Sequence, residues 1–308
     1  MSEPVRVIMW SVPRSRSSIV AKCMDGVPDS QIFFQVYSSA FWTGLGEFNS
    51  SDSSLQSEGF YRVQDEITNA GAQSKSFSKG EAKADYQWVK RQLEANYPGK
   101  RFLFAKEMAY CINGKFEYLP KGYRHIFLIR EPVKVFQSLK KTVPEIVAVQ
   151  GQQIPGMEGG DFELDKQPPH LIAPEYGFKE LVNLYEYLQE ANMEPDPIVV
   201  DSDDLVNDPA RILSAVLERL GVQFQDSILN WEKGMDVMEE WVVSRGVKNR
   251  ITKASSFKSF RDSTGFLQET AVPGTTHSTS ANLTADVQHC VEFSMPYFMK
   301  LYEKRLKV

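Results

Sequence analysis

Residues 5–26 read VRVIMWSVPRSRSSIVAKCMDG, and this stretch decides the fold. Its first part, residues 5–10, is a short apolar run with β-branched side chains, which is typical of a buried strand. A polar turn over residues 11–18 follows, and then a helix-compatible stretch that Gly26 closes. Strand, loop and helix in this order form the repeating unit of sheets that carry helices on their faces.

The same order returns later in the chain. Residues 101–106 (RFLFAK) and 125–130 (HIFLIR) predict strands, and the second of them runs through Pro132 into the helical pattern VKVFQSLKK. Residues 197–201 (PIVVD) predict another strand, followed by a helix over 209–220. Continuous apolar strands separated by helices indicate a parallel sheet buried on both faces. We therefore predict a three-layer α/β fold with a mostly parallel central sheet, on which a last helix near 285–306 packs.

Two stretches interrupt this pattern. Residues 43–80 are rich in Ser and Gly, and residues 151–169 in Gly, Pro and Gln; neither has a sustained apolar period. Loops of this length are often substrate walls or lids, and a surface insertion without such a role is the alternative. Since no linker is evident, residues 1–308 are predicted to form a single domain with these two insertions.

The composition limits the kinds of partner. Lys and Arg number 35 against 40 Asp and Glu, so the net charge of −5 argues against broad binding to nucleic acid or to an acidic membrane. The three cysteines are scattered, which suits a reducing compartment. With neither signal-peptide features at residues 1–6 nor an apolar run of membrane-spanning length, the expected location is the cytoplasm.

The first candidate site is the turn SVPRSRSS at residues 11–18. Unpaired backbone N–H groups and the helix dipole favour a phosphate or sulfate at the start of a helix. Against the kinase pattern GxxxxGK[ST], however, Ser11 and Arg16 stand where glycines belong, and Ser17 stands where the lysine belongs. An ordinary Mg-ATP site is therefore not expected, and a polar turn that only caps its helix is the alternative.

The second candidate is Arg130, which follows a predicted strand, with Ser138 on the next helix. Open α/β sheets bind ligands at the carboxyl ends of their strands. A surface ion pair is the simpler interpretation of Arg130 alone, so its significance depends on the first turn lying nearby.

These motifs resemble those of the sulfotransferases that use 3'-phosphoadenosine 5'-phosphosulfate (PAPS). PRSRSS looks like the 5'-phosphosulfate loop of that family, and LIREPVKVFQS looks like its 3'-phosphate motif. A third segment, DDLVNDP at residues 203–209 with ILSAVLERLGVQF after it, is similar to the family's acidic turn and helix. The matches occur in family order over roughly residues 5–224. The resemblance implies a P-loop nucleoside triphosphate hydrolase-like sulfotransferase fold.

The resemblance also implies roles for individual residues. Arg130 and Ser138 would bind the 3'-phosphate. Arg14 would stabilise negative charge on the departing phosphate. The 5'-phosphosulfate would be held by the side chains and backbone amides of Arg14, Ser15, Arg16, Ser17 and Ser18. Because a sulfuryl group carries less charge than a terminal phosphoryl group, no metal is expected.

The general base is less evident. Lys106-Glu107-Met108 resembles the family segment in which a lysine is closely followed by the base, often a histidine. Met108 stands in place of that histidine, which leaves Glu107 as the candidate base and Lys106 as a cation that stabilises the sulfuryl group. A structural role for Glu107 is equally open. Some small family members place a catalytic glutamate about twenty residues after the first loop, where this chain has Gln35.

Residues 245–261 carry six cations and no acid. This segment resembles the basic C-terminal cofactor loop of cytosolic sulfotransferases, so Arg245, Lys248 and Arg250 are candidate donor contacts on a flexible lid; a solvated basic face is the alternative. The aromatic cluster at residues 33–42 contacts the acceptor or belongs to the core.

The leading functional hypothesis is transfer of a sulfuryl group from PAPS to a hydroxyl or amine of a small-molecule acceptor. A divergent nucleotide-dependent kinase and a non-catalytic nucleotide-binding protein are the alternatives.

Overall fold

A central sheet of six parallel strands supports the molecule, in the order β5-β4-β1-β3-β2-β6. The computed structural model describes residues 3–44, 85–149, 162–169, 171–266 and 283–308. The strands are β1 (Val5–Ser11), β2 (Ser30–Phe34), β3 (Phe102–Met108), β4 (Arg124–Ile129), β5 (Ile198–Asp201) and β6 (Val242–Val243).

Helices cover both faces of the sheet. They are α1 (Ser17–Asp25), α2 (Val36–Gly44), α3 (Tyr86–Glu94), α4 (Pro132–Val149), α5 (Phe178–Glu190), α6 (Ser202–Asn207), α7 (Pro209–Arg219), α8 (Arg245–Lys253), α9 (Lys258–Asp262) and α10 (Ala285–Tyr302). Short 3-10 turns lie at Ala109–Cys111, Phe116–Tyr118, Leu164–Lys166, Asp226–Leu229, Asp236–Glu239 and Ser255–Phe257.

The core has two parts because strand side chains alternate between the faces. Val7 and Met9 of β1 pack with α1, α7 and α8; we call this side the α1 face. Ile8 and Trp10 pack with α3, α4, α5 and α10 on the opposite side, the α4 face. The predicted α/β fold with helices on both faces is confirmed, and the sheet is parallel throughout the described strands.

The strand register brings the predicted motifs to one edge. Ser11 pairs with Met108 on one side and with Leu128 on the other. Ile129, the last residue of β4, pairs with Asp201 of β5. The segments that follow β1, β3, β4 and β5 therefore all leave the sheet at its carboxyl edge.

The predicted insertions fall mostly outside the described residues. The first begins within the last turn of α2, and its remainder up to residue 80 is not described. Of the second, residues 162–169 are described and include the turn Leu164–Lys166.

Two further findings concern the chain as a whole. In the described ranges, none of the helices combines the length and apolar character that a membrane span needs. Cys23, Cys111 and Cys290 are buried and free of disulfides.

Candidate functional site

The loop between β1 and α1, residues 12–16, is held in an unusual backbone conformation. Arg14 and Arg16 have φ values of 62° and 66°, in the left-handed region that non-glycine residues seldom adopt. The Ser15 hydroxyl fixes the turn by donating to the carbonyl oxygen of Val12 at 2.8 Å. Ser17 and Ser18 then begin α1, so the unpaired N–H groups of its first turn open onto the loop. Strain of this kind concentrates at binding and catalytic sites.

Arg14 joins the two predicted phosphate motifs. Its Nε donates to the Ser138 hydroxyl of α4 at 2.9 Å, and its carbonyl oxygen accepts from Nη1 of Arg130 at 2.9 Å. Burial lowers the pKa of the Arg14 guanidinium, and the charge of Arg130 lowers it further. Two like charges are thus held together at the carboxyl edge, an arrangement that an anionic ligand would stabilise.

Arg16 contacts the third motif. Its Nη1 lies 3.0 Å from Oδ1 of Asp203, whose Oδ2 accepts from Nζ of Lys134 at 2.8 Å. Burial alone would raise the pKa of Asp203, but the hydrogen bond from Lys134 and the charge of Arg16 bring it below the ordinary value. Asp201 fixes the position of Asp203, because its carboxylate caps α6 by accepting from the N–H groups of Asp203 and Asp204.

Lys106 and Glu107 lie on opposite faces of β3. Lys106 is in register with Met9 and Phe34, so it points to the α1 face, and its Nζ lies 5.3 Å from the centre of the Phe34 ring. Glu107 is in register with Trp10 and points to the α4 face. The two residues proposed as a catalytic pair therefore do not share a pocket.

The Glu107 carboxylate is occupied by the start of α2. One oxygen accepts from the N–H of Tyr37 at 2.9 Å, and the other from the N–H and hydroxyl of Ser38, both at 3.3 Å. Burial raises the pKa of Glu107; the N–H groups of α2 and the charge of Lys106 oppose that shift. This geometry favours a structural role for Glu107, because both of its carboxylate oxygens accept hydrogen bonds from the N-terminus of a helix.

The basic segment 245–261 is folded rather than irregular. It forms α8, the turn Ser255–Phe257 and most of α9, and it is anchored by the buried side chains of Val247 and Ile251. Its connection with the β1–α1 loop is direct, because Nη2 of Arg14 donates to the carbonyl oxygen of Ser256 at 3.3 Å.

The three cations predicted on this segment have different surroundings. Arg250 stacks over the Trp42 ring at 4.3 Å, and its charge lowers the pKa of Lys106. Lys248 pairs with Glu239 at 2.8 Å. Arg245 is exposed at the start of α8.

Two residues that the sequence did not single out complete the site. Glu145 of α4 accepts from the backbone N–H groups of Ser255 and Ser256, and so docks the turn that contacts Arg14. The Ser256 hydroxyl oxygen is buried beside the Glu145 carboxylate, and it helps to lower the pKa of Glu145. No local sequence signal identifies either one, since both act across large separations along the chain.

The aromatic cluster after α1 divides between core and site. Phe33, Phe34 and Tyr37 are fully buried. Phe41 packs edge-on against Tyr110, and Trp42 lies under Arg250 as described above.

Gln35 forms the turn between β2 and α2, where its N–H donates to the carbonyl oxygen of Lys106 at 2.9 Å. Within the described ranges, no group of three His, Cys, Asp or Glu side chains is arranged to hold a metal ion.

Comparison with known proteins supports the fold. No family model matches the chain. The sulfotransferase domain of the Synechococcus PCC 7002 olefin synthase superposes with a TM-score of 0.50 and 17% identity, covering 95% of each chain. The sulfotransferase domain from the curacin biosynthetic pathway covers 94% of this chain at 16% identity and a TM-score of 0.46. On the basis of the olefin synthase domain, the chain has a sulfotransferase-like α/β fold.

Two curated relatives match at the level of sequence. Branched-chain-amino-acid aminotransferase-like protein 1 of Arabidopsis thaliana is 25% identical over 281 residues, which are 89% of this chain and 39% of that protein. Protein 2 of the same name and organism is 24% identical over 229 residues, 73% of this chain and 31% of that protein. The chain thus spans well under half the length of both relatives.

Proposed function

We propose that this chain is an enzyme that transfers the sulfuryl group of PAPS to a hydroxyl or amine of a small-molecule acceptor. The observation that carries the proposal is the contact of Arg14 with both Ser138 and Arg130 at the carboxyl edge of the sheet. Two sequence motifs, more than a hundred residues apart, meet there in one cationic cluster beside a helix N-terminus.

We assign the groups of the donor to residues on the basis of this geometry. The 5'-phosphosulfate is assigned to Arg14, to the turn formed by Ser15 and Arg16, and to the hydroxyls and N–H groups of Ser17 and Ser18. The 3'-phosphate is assigned to Arg130 and Ser138, which both contact Arg14. Since Ser138 accepts from Arg14, its own hydroxyl proton is directed to another acceptor, as a phosphate oxygen would be.

Arg14 is the group that acts on the chemistry of transfer. Its guanidinium offers fixed N–H donors for the negative charge that develops on the departing 5'-phosphate. Magnesium is not part of the proposal, because these cations and N–H groups supply the charge stabilisation.

Thermal unfolding with the donor product, 3'-phosphoadenosine 5'-phosphate (PAP), tests the site. Saturation at a hundred times the Kd stabilises a protein by about 2.7 kcal/mol, so a rise in Tm is expected. ADP, which lacks the 3'-phosphate, is expected to give a smaller rise. Arg14→Ala and Arg130→Ala are each expected to abolish the PAP effect.

Arg101→Ala is the matched control, because Arg101 is exposed at the amino edge of the sheet, where it pairs with Asp29. Full PAP stabilisation in both site variants would exclude the assigned donor site. PAP formation from PAPS, measured over a panel of alcohols, phenols and amines, tests the transfer itself. PAP binding without turnover of PAPS would indicate a non-catalytic nucleotide-binding protein. Magnesium-dependent turnover of ATP would indicate a kinase.

A further inference from the structure

We propose that the neutral amine of Lys106 is the base that takes the proton of the acceptor, an inference that rests on the sulfuryl transfer proposed above. An acceptor hydroxyl loses its proton as it attacks sulfur, so a basic atom is needed close to the sulfuryl group. The Glu107 carboxylate accepts hydrogen bonds from the N–H groups of α2 on the other face of the sheet, and Met108 has no basic atom.

The position of Lys106 suits this role. It lies on β3, the strand next to β1, two residues before the carboxyl end of the sheet. Its side chain is on the α1 face, the face on which α1 begins just after the proposed 5'-phosphosulfate loop. The amine is therefore on the side of the sheet where the sulfuryl end of the donor is assigned.

The surroundings of Lys106 favour its neutral form. The residue is 1% exposed, and no ion pair joins its amine to a carboxylate in the part of the chain that the structure describes. The aromatic ring of Phe34 is its neighbour at 5.3 Å. A buried ammonium without a paired carboxylate is costly, and this cost is reduced when the amine gives up its proton.

Three other charged or titratable groups affect this amine. Burial lowers the pKa of Lys106 most; Glu107 on the same strand and Cys111 in the following turn raise it, and Arg250 of α8 lowers it again. Together these effects lower the pKa of Lys106, so a larger fraction of the amine is neutral at physiological pH. An ordinary exposed lysine is almost entirely protonated there.

The proposed step is balanced. The acceptor oxygen forms a bond to sulfur, and the bond between sulfur and the bridging oxygen of the 5'-phosphate breaks, leaving its electron pair on the phosphate. The hydroxyl proton moves to the lone pair of Nζ, which becomes an ammonium. That ammonium releases its proton to solvent after the products leave, and no further reactant is required.

The test uses the full chain with PAPS as donor and two phenols as acceptor probes, phenol and the far more acidic 4-nitrophenol. In the wild type, kcat/KM for phenol is expected to rise with pH and then to level off. The midpoint of this rise should lie well below both the ordinary lysine value of 10.5 and the pH of about 10 at which phenol itself ionises. Lys106→Met is expected to lower turnover of phenol by about 100-fold or more. With 4-nitrophenol, most of which is already ionised, the loss of turnover in Lys106→Met is expected to be at least ten times smaller.

The control is Lys22→Met, which removes another fully buried amine, one that donates to the carbonyl oxygens of Gly234 and Phe260. It is expected to leave the pH profile unchanged. Equal losses with both phenols in Lys106→Met, or a wild-type kcat/KM that falls as pH rises, would assign Lys106 an electrostatic role and overturn the proposal. The wild-type profile decides this even if the variant does not fold.

PAP binding separates this proposal from the proposed function. If PAP stabilises the wild type and PAPS is turned over, a failed pH or phenol test refutes only the role of Lys106. If PAP does not bind, the sulfuryl-transfer function fails and the role of Lys106 fails with it.

Discussion

Replacing Glu107 by glutamine distinguishes a helix cap from a catalytic base. The wild-type carboxylate accepts from the N–H of Tyr37 through one oxygen and from the N–H of Ser38 through the other. Glutamine keeps a single oxygen, which we expect to retain the shorter bond to Tyr37. Its NH2 group then faces the Ser38 N–H, donor against donor, in a site that is 0% exposed.

The expected loss of stability follows from that one unsatisfied group. A buried N–H without an acceptor costs about 1–3 kcal/mol, and relief from burying a charge offsets part of this. We therefore expect Glu107→Gln to lower the free energy of unfolding by about 1–2 kcal/mol. At about 2–4 °C per kcal/mol for a chain of this order of size, Tm is expected to fall by roughly 2–8 °C.

The assay is thermal unfolding together with turnover of PAPS and phenol. Glu180→Gln is the matched control, because the buried Glu180 carboxylate likewise accepts two backbone N–H groups, those of Glu175 and Gly177, at the start of α5. Both variants are expected to lose similar stability and to keep turnover within a few-fold of wild type. An unchanged Tm with a 100-fold loss of turnover in Glu107→Gln alone would refute the capping argument and make Glu107 the base.

Two further predictions concern the site and the core. Glu145→Gln removes the charge that docks the turn beside Arg14, so PAP should dissociate about five-fold faster in stopped-flow experiments; Glu186→Gln, an exposed glutamate that pairs with Lys300, is the control, and equal rates would contradict the docking role. His125 is buried, and burial lowers its pKa from 6.5 to about 3. Its contribution to the free energy of unfolding is therefore complete above pH 6.5 and is lost as the pH falls towards 3. Wild type should therefore lose about 2 kcal/mol by about pH 5 through this residue. His125→Gln keeps an acceptor for the indole N–H of Trp10, and its denaturant stability should fall less over that range; parallel pH curves would contradict this.

The sequence was sufficient to predict four of the six strands, and the reason is their burial. β1, β3, β4 and β5 are nearly continuous apolar runs, because helices cover them on both sides. β6 has only two residues, too few for any periodicity. It exists as a strand because Val242 and Val243 pair with Phe33 and Phe34, so β2 and β6 are defined by tertiary pairing.

The position of Glu107 shows how the boundary of a strand affects a prediction about a site. The sequence pattern ended the strand at Lys106, which would place Glu107 in an irregular segment where its direction is undetermined. β3 in fact continues to Met108, and strict alternation within the strand sends Lys106 and Glu107 to opposite faces. Two extra residues of strand thus separate the proposed catalytic pair.

The contacts of Arg14 were only partly predictable. Its approach to Arg130 and Ser138 follows from the parallel sheet, in which the segments after β1 and β4 leave at the same edge. Its contact with the carbonyl of Ser256 joins residues 242 positions apart and depends on how α8 crosses that edge. No periodicity or motif encodes such a crossing.

The number of cations in a segment does not predict how strongly each of them binds an anionic donor. Arg16 shares the carboxylate of Asp203 with Lys134, so part of its charge is already balanced. Arg14 lies against Arg130, and Glu145, whose charge raises the pKa of Arg14, accepts hydrogen bonds from the N–H groups of Ser255 and Ser256. Bringing a phosphate to Arg14 and Arg130 relieves a repulsion, whereas bringing one to Arg16 competes with an existing ion pair. In a protein of net charge −5, the affinity for a small polyanion is therefore concentrated at the carboxyl edge of the sheet, where Arg14 and Arg130 lie together.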